Sequence, residues 1–475
     1  MCGIAGYIEF GPTNFNDTEL HAMAQRLHHR GPDAKGFFIE PGVGLAHARL
    51  SIIDLSQSAN QPMISQNERY VIVFNGEVYN FDELRREYHL QCKTNSDTEV
   101  ILELFAKIGI EAVECFNGMF SIAIFDKQEK ELWLIRDRIG IKPLFYYYDN
   151  HSIAFASEIN SLLELKYIKD KISINYDSIN EFLHLGYIPQ PLTIWNGISK
   201  FPSGCYARIS KDKFDIKSYW DIESIIQPET LKDKTQAREI LRDLIVSSVR
   251  YRLKSDVPFG CFLSGGIDSS LVTAVAQSQL SRPLNTFSIA FEESKYNEAH
   301  HAKRVADYLG TNHHELTVSE HDALSLVEEM LESFHEPFSD SSAIPTMLVS
   351  KLAKDQVTMT LSGDGGDELF MGYGMYTWAD RLHKPFISKY RKPISTILSL
   401  GNNRHKRAAQ VFNFNDENTI KSHIFSQEQY LHSRDDIKRA INPTYLRPIS
   451  IEEKIINVNR HLSYKEQQSI FDIKY

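Results

Sequence analysis

Cysteine is scarce and scattered in this chain. Its 475 residues hold five, Cys2, Cys92, Cys115, Cys205 and Cys261, with no C-x-x-C pair. That spacing points away from a zinc framework and a disulfide scaffold, and a reducing cytoplasm is the simplest compartment. No run of eighteen apolar residues occurs, so no membrane span is expected. A secretory h-region is missing as well, because Glu9, Asn14 and Asp17 interrupt it. Positive charge is not in excess: the net charge is −10, which argues against a general nucleic-acid binder. Internal repeats and low-complexity segments are absent. What is present, 42% hydrophobic and 24% charged residues, fits soluble globular domains with sizeable cores, about two to four of them at this length.

The first half reads as strand-rich. GMFSIAIFD (118–126), ELWLIRD (131–137), KPLFYYYD (142–149) and SIAFASE (152–158) are short β-branched or aromatic runs separated by turn chemistry. That spacing predicts antiparallel meanders. Two helices interrupt them. NFDELRREY (80–88) has Asn80 followed three residues on by Glu83, a capping-box pattern. DTEVILELFAKIG (97–109) places Val100, Ile101, Leu104, Phe105 and Ile108 on one face and stops at Gly109.

The pattern breaks near SYWDIESIIQPETLKDK (218–234), where polar residues accumulate. The expected division is residues 2–215, a linker over 216–234, and residues 235–475. Beyond the linker, strands at 257–263, 285–291, 313–318 and 356–362 alternate with helices at 269–280, 297–310 and 322–334. Such alternation predicts a parallel sheet with helices on its faces. From about residue 380 onward the chain reads as helical.

Three stretches carry chemistry. The chain opens MCGIAGYIEF. Cys2 is one cleavage from being residue 1, which would put a thiol and a free α-amine on the same carbon, with the amine able to take the thiol proton. The plainer alternative is the small apolar start of a buried strand. FLSGGIDSS (262–270) is a strand, two glycines and a hydroxyl-rich helix start. Backbone N–H groups there can cradle an anion. It lacks the P-loop lysine and resembles a pyrophosphate-binding loop of enzymes that split ATP between the α and β phosphates. The alternative is a Gly-Gly turn with Asp268 as helix cap. TLSGDGGDELFMGY (360–373) is a second strand running into a Gly-rich turn, with Asp364, Asp367 and Glu368. Carboxylates beside a phosphate site invite Mg²⁺. Three adjacent histidine pairs, His28–His29, His300–His301 and His313–His314, read as structural, since neighbours point to different sides.

Taken in order, MCGIAGY, RGPD (30–33), HARLSIIDL (47–55), NGEVYN (75–80), SDTE (96–99), SGGIDSS and LSGDGGDELFMGY resemble the glutamine-hydrolysing asparagine synthetases. The resemblance implies an N-terminal-nucleophile αββα sandwich that releases ammonia. A parallel-sheet, ATP pyrophosphatase-type α/β domain with a helical C-terminal part would follow it. A tunnel would join the two. By analogy Cys2 is the nucleophile after loss of Met1. Asn75 and the Gly76 N–H match the oxyanion hole. Arg49 would grip the glutamine α-carboxylate, and Asp97, with Glu77 close by, would take the α-ammonium. Read as bare residues, Asp97 could instead be only a helix N-cap and Asn75 only a turn residue.

For the second half the resemblance implies ATP-dependent adenylation of the aspartate β-carboxylate, then amidation to asparagine with release of AMP and pyrophosphate. Phe262 and Ile289 would meet the adenine end, and Ser362 and Gly363 the nucleotide. Ser264, Gly265, Gly266, Asp268, Ser269 and Ser270 would hold pyrophosphate, with Asp268 and Asp367 as Mg²⁺ ligands. Asp364 stands where the family often has glutamate, beside the acyl-adenylate. EPFSDSSAIP (336–345) resembles a segment near the acceptor site. Small molecules (glutamine, aspartate and ATP) are the expected partners, with no nucleic acid and no membrane. A homodimer is carried as the expected assembly. A K-x-D-R-x-S-M pattern, which in the family places a lysine over the phosphates, does not occur in these residues. Glutamine hydrolysis is therefore expected to stand and amide synthesis to be impaired. Two other readings stay open: a relative that amidates a sugar acid, and a glutaminase or glutamine-binding protein whose second half is a scaffold.

Overall fold

The computed structural model describes residues 1–11, 15–226, 231, 233–293, 297–414, 416–457 and 462–475. Two six-stranded antiparallel sheets fill the first half. One runs, edge to edge, Ile198–Lys200, Phe145–Tyr148, Ser152–Ala156, Gly3–Glu9, Val43–Arg49 and Ala34–Glu40. The other runs Lys213–Ser218, Cys205–Ser210, Glu131–Arg136, Gly118–Asp126, Tyr70–Val78 and Met63–Ile64.

Side-chain alternation decides how these sheets stack. Along Gly3–Glu9, Ile4 and Ile8 pack between the sheets with Val71, Val73, Phe125 and Leu134. Ala5 and Tyr7 point the other way, onto Leu20 and Met23 of helix Asp17–Arg26. On the far side of the second sheet, Ile72 and Phe74 meet Val100, Ile101, Leu104 and Phe105 of helix Asp97–Ile108. The layers are therefore helix, sheet, sheet, helix, the αββα sandwich that was expected. Each such fully buried aliphatic or aromatic side chain contributes roughly 1.5–3 kcal/mol.

Local signals set some ends and tertiary contacts override others. Helix Asp97–Ile108 starts behind Ser96, whose hydroxyl accepts from the Glu99 N–H, and ends at Gly109 with φ +69°. Asp97 is thus the first helical residue and not the cap. The capping box expected at Asn80 does not form. Asn80 donates from Nδ2 to the Cys115 carbonyl and accepts from the Asn117 N–H, each at 2.9 Å, so a long-range pair replaces the local one. The helix expected over 322–334 is two, Glu320–Ser325 and Val327–Ser333. They break at Leu326, which is buried with Val318 and Leu348. On helix Ala299–Leu309 the rings of His300 and His301 lie 3.9 Å apart rather than splayed. Consecutive helical residues are only about 100° apart, which lets two rings tilt together.

Of the linker expected over 216–234, residues 227–230 and 232 lie outside the described residues. Helix Lys234–Arg252 then leads into a four-stranded parallel sheet ordered Asn312–Val318, Asn285–Phe291, Phe259–Phe262, Met359–Leu361. The chain steps outward twice on one side of Phe259–Phe262 and then returns to its other side. The loops leaving Phe262 and Leu361 therefore diverge, opening a crevice at the carboxyl ends of neighbouring strands. Later helices, including Tyr376–Leu382, Ile420–Gln429 and Tyr464–Lys474, pack around Leu382, Ile424, Phe425 and Phe471.

The halves are docked. The Asp256 N–H donates to the Ile52 carbonyl (2.9 Å), the Asp54 N–H donates to the Asp256 carboxylate (2.8 Å), and Lys254 pairs with Asp82. No described helix is long and apolar enough to cross a membrane.

Candidate functional site

Cys2 sits at the entrance to strand Gly3–Glu9, half-buried, so both sequence readings meet there: it opens a buried strand and it lines a cavity. Its sulfur lies 3.4 Å from the Leu50 amide nitrogen and 3.5 Å from the Leu50 carbonyl. Burial pushes the thiol above its ordinary value, so an attacking thiolate needs a base nearby. The α-amine, here on Met1, is held down to about 6 by burial, with the charges of Arg30 and Lys142 acting in the same direction. An amine in that environment is largely free base at neutral pH.

Opposite Cys2, Asn75 lies inside strand Tyr70–Val78, which removes the turn alternative. It is 1% exposed, and neither its side-chain nitrogen nor its oxygen has a hydrogen-bond partner among the described residues. A buried orphan amide costs about 1–3 kcal/mol and marks a place where a ligand supplies the missing bond. Gly76 follows it in the strand. Glu77 and Asp97 line the same cavity, pushed by burial to about 7 and about 6. An ammonium placed between them would return both to the charged form. Arg49 is already engaged. It donates to the Ser56 carbonyl (2.8 Å), to Asn60 Oδ1 (2.6 Å) and to the Ile53 and Asp54 carbonyls, and so braces the 50–60 loop.

In the second half, Gly265 (φ +83°) lets the 264–266 turn lie on helix Ala299–Leu309. A β-carbon there would stand 2.6 Å from the Ala302 nitrogen. Gly266 caps helix Ile267–Ser278. The Ser264 and Ser269 hydroxyls pair at 2.9 Å, while the Ser270 hydroxyl is buried without a partner among the described residues. The 362–366 loop rests on this helix start. Ser362 donates to the Asp364 carboxylate at 2.8 Å, and a β-carbon on Gly366 would fall 2.6 Å from the Asp268 carboxyl carbon. Asp367 is turned away against Gly372 and does not line the cavity. Phe262 packs with Phe287 and Val357, and Ile289 with Val318 and Leu348; neither lines the cavity. Among the described residues no three His, Cys, Asp or Glu side chains cluster as a metal cage. Asp268 and Asp364 are the carboxylates facing the crevice, a donor set suited to Mg²⁺ that takes its other ligands from phosphate oxygens and water.

One cavity of about 780 Å³ connects the two places. Cys2, Asn75, Glu77 and Asp97 line it on one side, and Asp268, Ser362, Gly363 and Asp364 on the other. Leu241, Leu244, Val249, Val272 and Met359 line it as well. Sequence reasoning overlooked Arg30, Lys142, Glu158 and His335. Arg30 was visible only as part of RGPD, and Lys142 was read merely as the start of a strand. Both stand near the N-terminal amine: Lys142 Nζ contacts the Met1 sulfur at 3.0 Å, and Arg30 Nε donates to the Cys2 carbonyl at 3.0 Å.

Comparison with known proteins matches each half of the chain to a family. The family described as a glutamine amidotransferase domain matches residues 1–220, and the asparagine synthase family matches residues 240–451. The putative asparagine synthetase [glutamine-hydrolyzing] 2 of Methanocaldococcus jannaschii is 40% identical over 419 residues, covering 84% of this chain and 80% of that protein. Asparagine synthetase [glutamine-hydrolyzing] 1 of Bacillus subtilis is 36% identical, covering 79% of this chain and 59% of its own length. Asparagine synthetase B of Escherichia coli is 32% identical, covering 78% and 65%. The matched region thus spans less than two thirds of the Bacillus and Escherichia proteins. With both family domains matched along the chain and a relative matched over most of both chains, this chain belongs to the glutamine-hydrolysing asparagine synthetases.

Proposed function

We propose that this protein hydrolyses glutamine at Cys2 and delivers the ammonia to an aspartate carboxylate activated by ATP in the crevice of the parallel sheet. The observation that carries the reading is the single cavity reaching from Cys2 and Asn75 to Asp268 and Gly363. The names of the relatives favour aspartate over a sugar acid as acceptor.

Loss of Met1 would move the α-amine onto the α-carbon of Cys2, beside Arg30 and Lys142. As free base it takes the thiol proton, and the sulfur attacks the glutamine amide carbon. Asn75 Nδ2 and the Gly76 N–H receive the oxyanion. The amine returns its proton to the leaving nitrogen, ammonia departs, and water cleaves the thioester to glutamate. Arg49 faces the α-carboxylate, with Asp97 and Glu77 at the α-ammonium. Apolar walls at Leu244, Val249, Val272 and Met359 offer ammonia no proton, so it stays neutral and nucleophilic.

In the crevice, the aspartate β-carboxylate attacks the α-phosphorus of ATP and pyrophosphate leaves. Ammonia then attacks the acyl carbon, and AMP leaves. Helix Ile267–Ser278 presents its N-terminal N–H groups to the leaving pyrophosphate, with Ser264, Ser269 and Ser270 around it. Mg²⁺, held by Asp268, would offset phosphate charge. A cytoplasmic setting and a homodimeric state are parts of the same proposal. The test is to measure glutamate, asparagine and pyrophosphate release side by side with aspartate or a uronic acid as acceptor. Pyrophosphate release that follows the uronic acid and not aspartate overturns the acceptor assignment.

A further inference from the structure

A buried ionic chain crosses between the halves and ends on the candidate nucleophile. Glu158 follows strand Ser152–Ala156 and is 3% exposed. It occupies the cap position of the short helix Ile159–Leu162 but makes no side-chain cap bond there. Its carboxylate is turned instead into a cluster of one guanidinium and two imidazoles: Oε1 accepts from Arg30 Nη1 at 3.0 Å and lies 2.9 Å from His29 Nε2, while His335 Nε2 stands 3.0 Å from Oε2, a close contact without hydrogen-bond alignment. Burial alone would raise this carboxyl, but the His29 and His335 contacts and the Arg30 charge outweigh it and hold Glu158 well below the usual carboxylate range.

Arg30 carries the chain onward. Its Nε donates to the Cys2 carbonyl at 3.0 Å. Its remaining terminal nitrogen is buried with no hydrogen-bond partner among the described residues. The guanidinium is thus held between two acceptors, Glu158 and the Cys2 backbone. At the other end, His335 belongs to a segment of the second half that is anchored on the first. Glu336 pairs with Lys200, and the Ser339 N–H donates to the Gly186 carbonyl at 2.8 Å.

We propose that Glu158 is a positioning residue through which segment 335–339 of the second half sets the orientation of Cys2, by way of Arg30. The consequence is directional. A shift of that segment withdraws His335 from Glu158, frees the carboxylate to move, and loosens the Arg30 grip on the Cys2 carbonyl. Hydrolysis of glutamine then responds to the state of the other half without any change in the glutamine-binding residues. This rests on the reading of Cys2 as the glutaminase nucleophile.

The test compares Glu158→Gln, His335→Ala, His335→Gln and Cys2→Ala in the full chain. It measures glutamine kcat and KM, the rate of Cys2 alkylation by iodoacetamide, and the melting temperature. Misplacing a reacting group by about 1 Å costs up to about a hundredfold, so an indirect contact should cost about tenfold in kcat for Glu158→Gln and about fivefold for His335→Ala. KM should stay within about twofold, because Arg49, Asp97 and Glu77 are untouched. Alkylation should slow in step with kcat. His335→Gln keeps a donor facing Glu158 and should recover most of the loss. Unchanged kcat and alkylation in both Glu158→Gln and His335→Ala overturn the proposal. So does a loss that tracks only a lowered melting temperature and is not rescued by His335→Gln. If Cys2→Ala still hydrolyses glutamine, the nucleophile reading itself falls, and the relay falls with it for a separate and recognisable reason.

Discussion

Gly363 lies directly against Asp268: a β-carbon on Gly363 would stand 3.0 Å from the Asp268 β-carbon and 2.7 Å from the Ser269 amide nitrogen. The two Gly-rich loops therefore share a contact that only glycine permits. Gly363→Ala should force them apart at the backbone. ATP–pyrophosphate exchange is expected to fall by about a hundredfold, as for other small displacements of a reacting centre. Glutamine hydrolysis, at the other end of the cavity, should stay within about twofold in the same assay. Normal exchange would show that the loops need not touch.

Cys2→Ala should abolish glutamine hydrolysis, with a loss on the order of 10⁴-fold or more, typical of removing a nucleophile. The fold should be retained, since one small, half-buried side chain at the start of a strand is lost. Ammonium chloride should bring amide formation in the variant to the level that the parent chain reaches with glutamine, because it supplies the same intermediate. Equal inactivity with ammonium chloride and with glutamine would sink the two-site scheme. Intact mass of active protein should lack Met1.

The Glu77 and Asp97 carboxyls of the Cys2 cavity should contribute stability that is lost as pH rises. Burial raises Glu77 to about 7 and Asp97 to about 6, both above their unfolded values. Through these two groups the folded state binds more protons than the unfolded state between about pH 4 and pH 7, so their contribution to the unfolding free energy drops across that window, while His47 and His423, held down by burial to about 3 and about 4, contribute with the opposite sign. A shift of this size in Glu77 corresponds to about 3 kcal/mol. Glu77→Gln should remove its share, read as the difference between variant and parent denaturation midpoints at pH 5, 6, 7 and 8. An unaltered slope would show that Glu77 is not the titrating group.

Arg49→Lys should raise KM for glutamine and loosen the 50–60 loop together. Arg49 serves the Ser56, Ile53 and Asp54 carbonyls and Asn60 Oδ1 at once. An ammonium cannot copy that planar fork. We expect KM to rise about tenfold or more, corresponding to the loss of a charged hydrogen bond of about 1.5–3 kcal/mol. Faster proteolysis within residues 50–60 should accompany it. A variant with wild-type KM and wild-type protection would remove Arg49 from the site.

Much of the architecture was legible because it rests on local chemistry. The short β-branched and aromatic runs along 118–126 and 152–158, set apart by turn chemistry, spelled strands of antiparallel meanders, and both strands are largely buried. The 3.6-residue spacing of Val100, Ile101, Leu104 and Phe105 made a helix with one buried face. Strand–helix alternation after residue 257 predicted the parallel sheet. The Gly-rich turns at 264–266 and 362–366 marked close backbone approach, which demands residues without side chains, and the structure shows that approach at Gly265, Gly363 and Gly366.

Other features depended on which distant groups met. Asn80 carried a capping-box signature, yet Cys115 and Asn117 took its side chain. The span 322–334 had helical periodicity, yet burial of Leu326 split it. Nothing in the sequence placed Glu158, 129 residues from His29 and 177 from His335, between Arg30 and the second half. Periodicity and turn chemistry act over a few residues, so the sequence by itself determined most of the elements, the place of Cys2 at the chain start and the two glycine loops. The meeting of those loops, the shared cavity and the buried Arg30–Glu158–His335 chain are long-range pairings. Only the tertiary structure decided them, because a buried charge accepts whichever partners packing brings within about 3 Å.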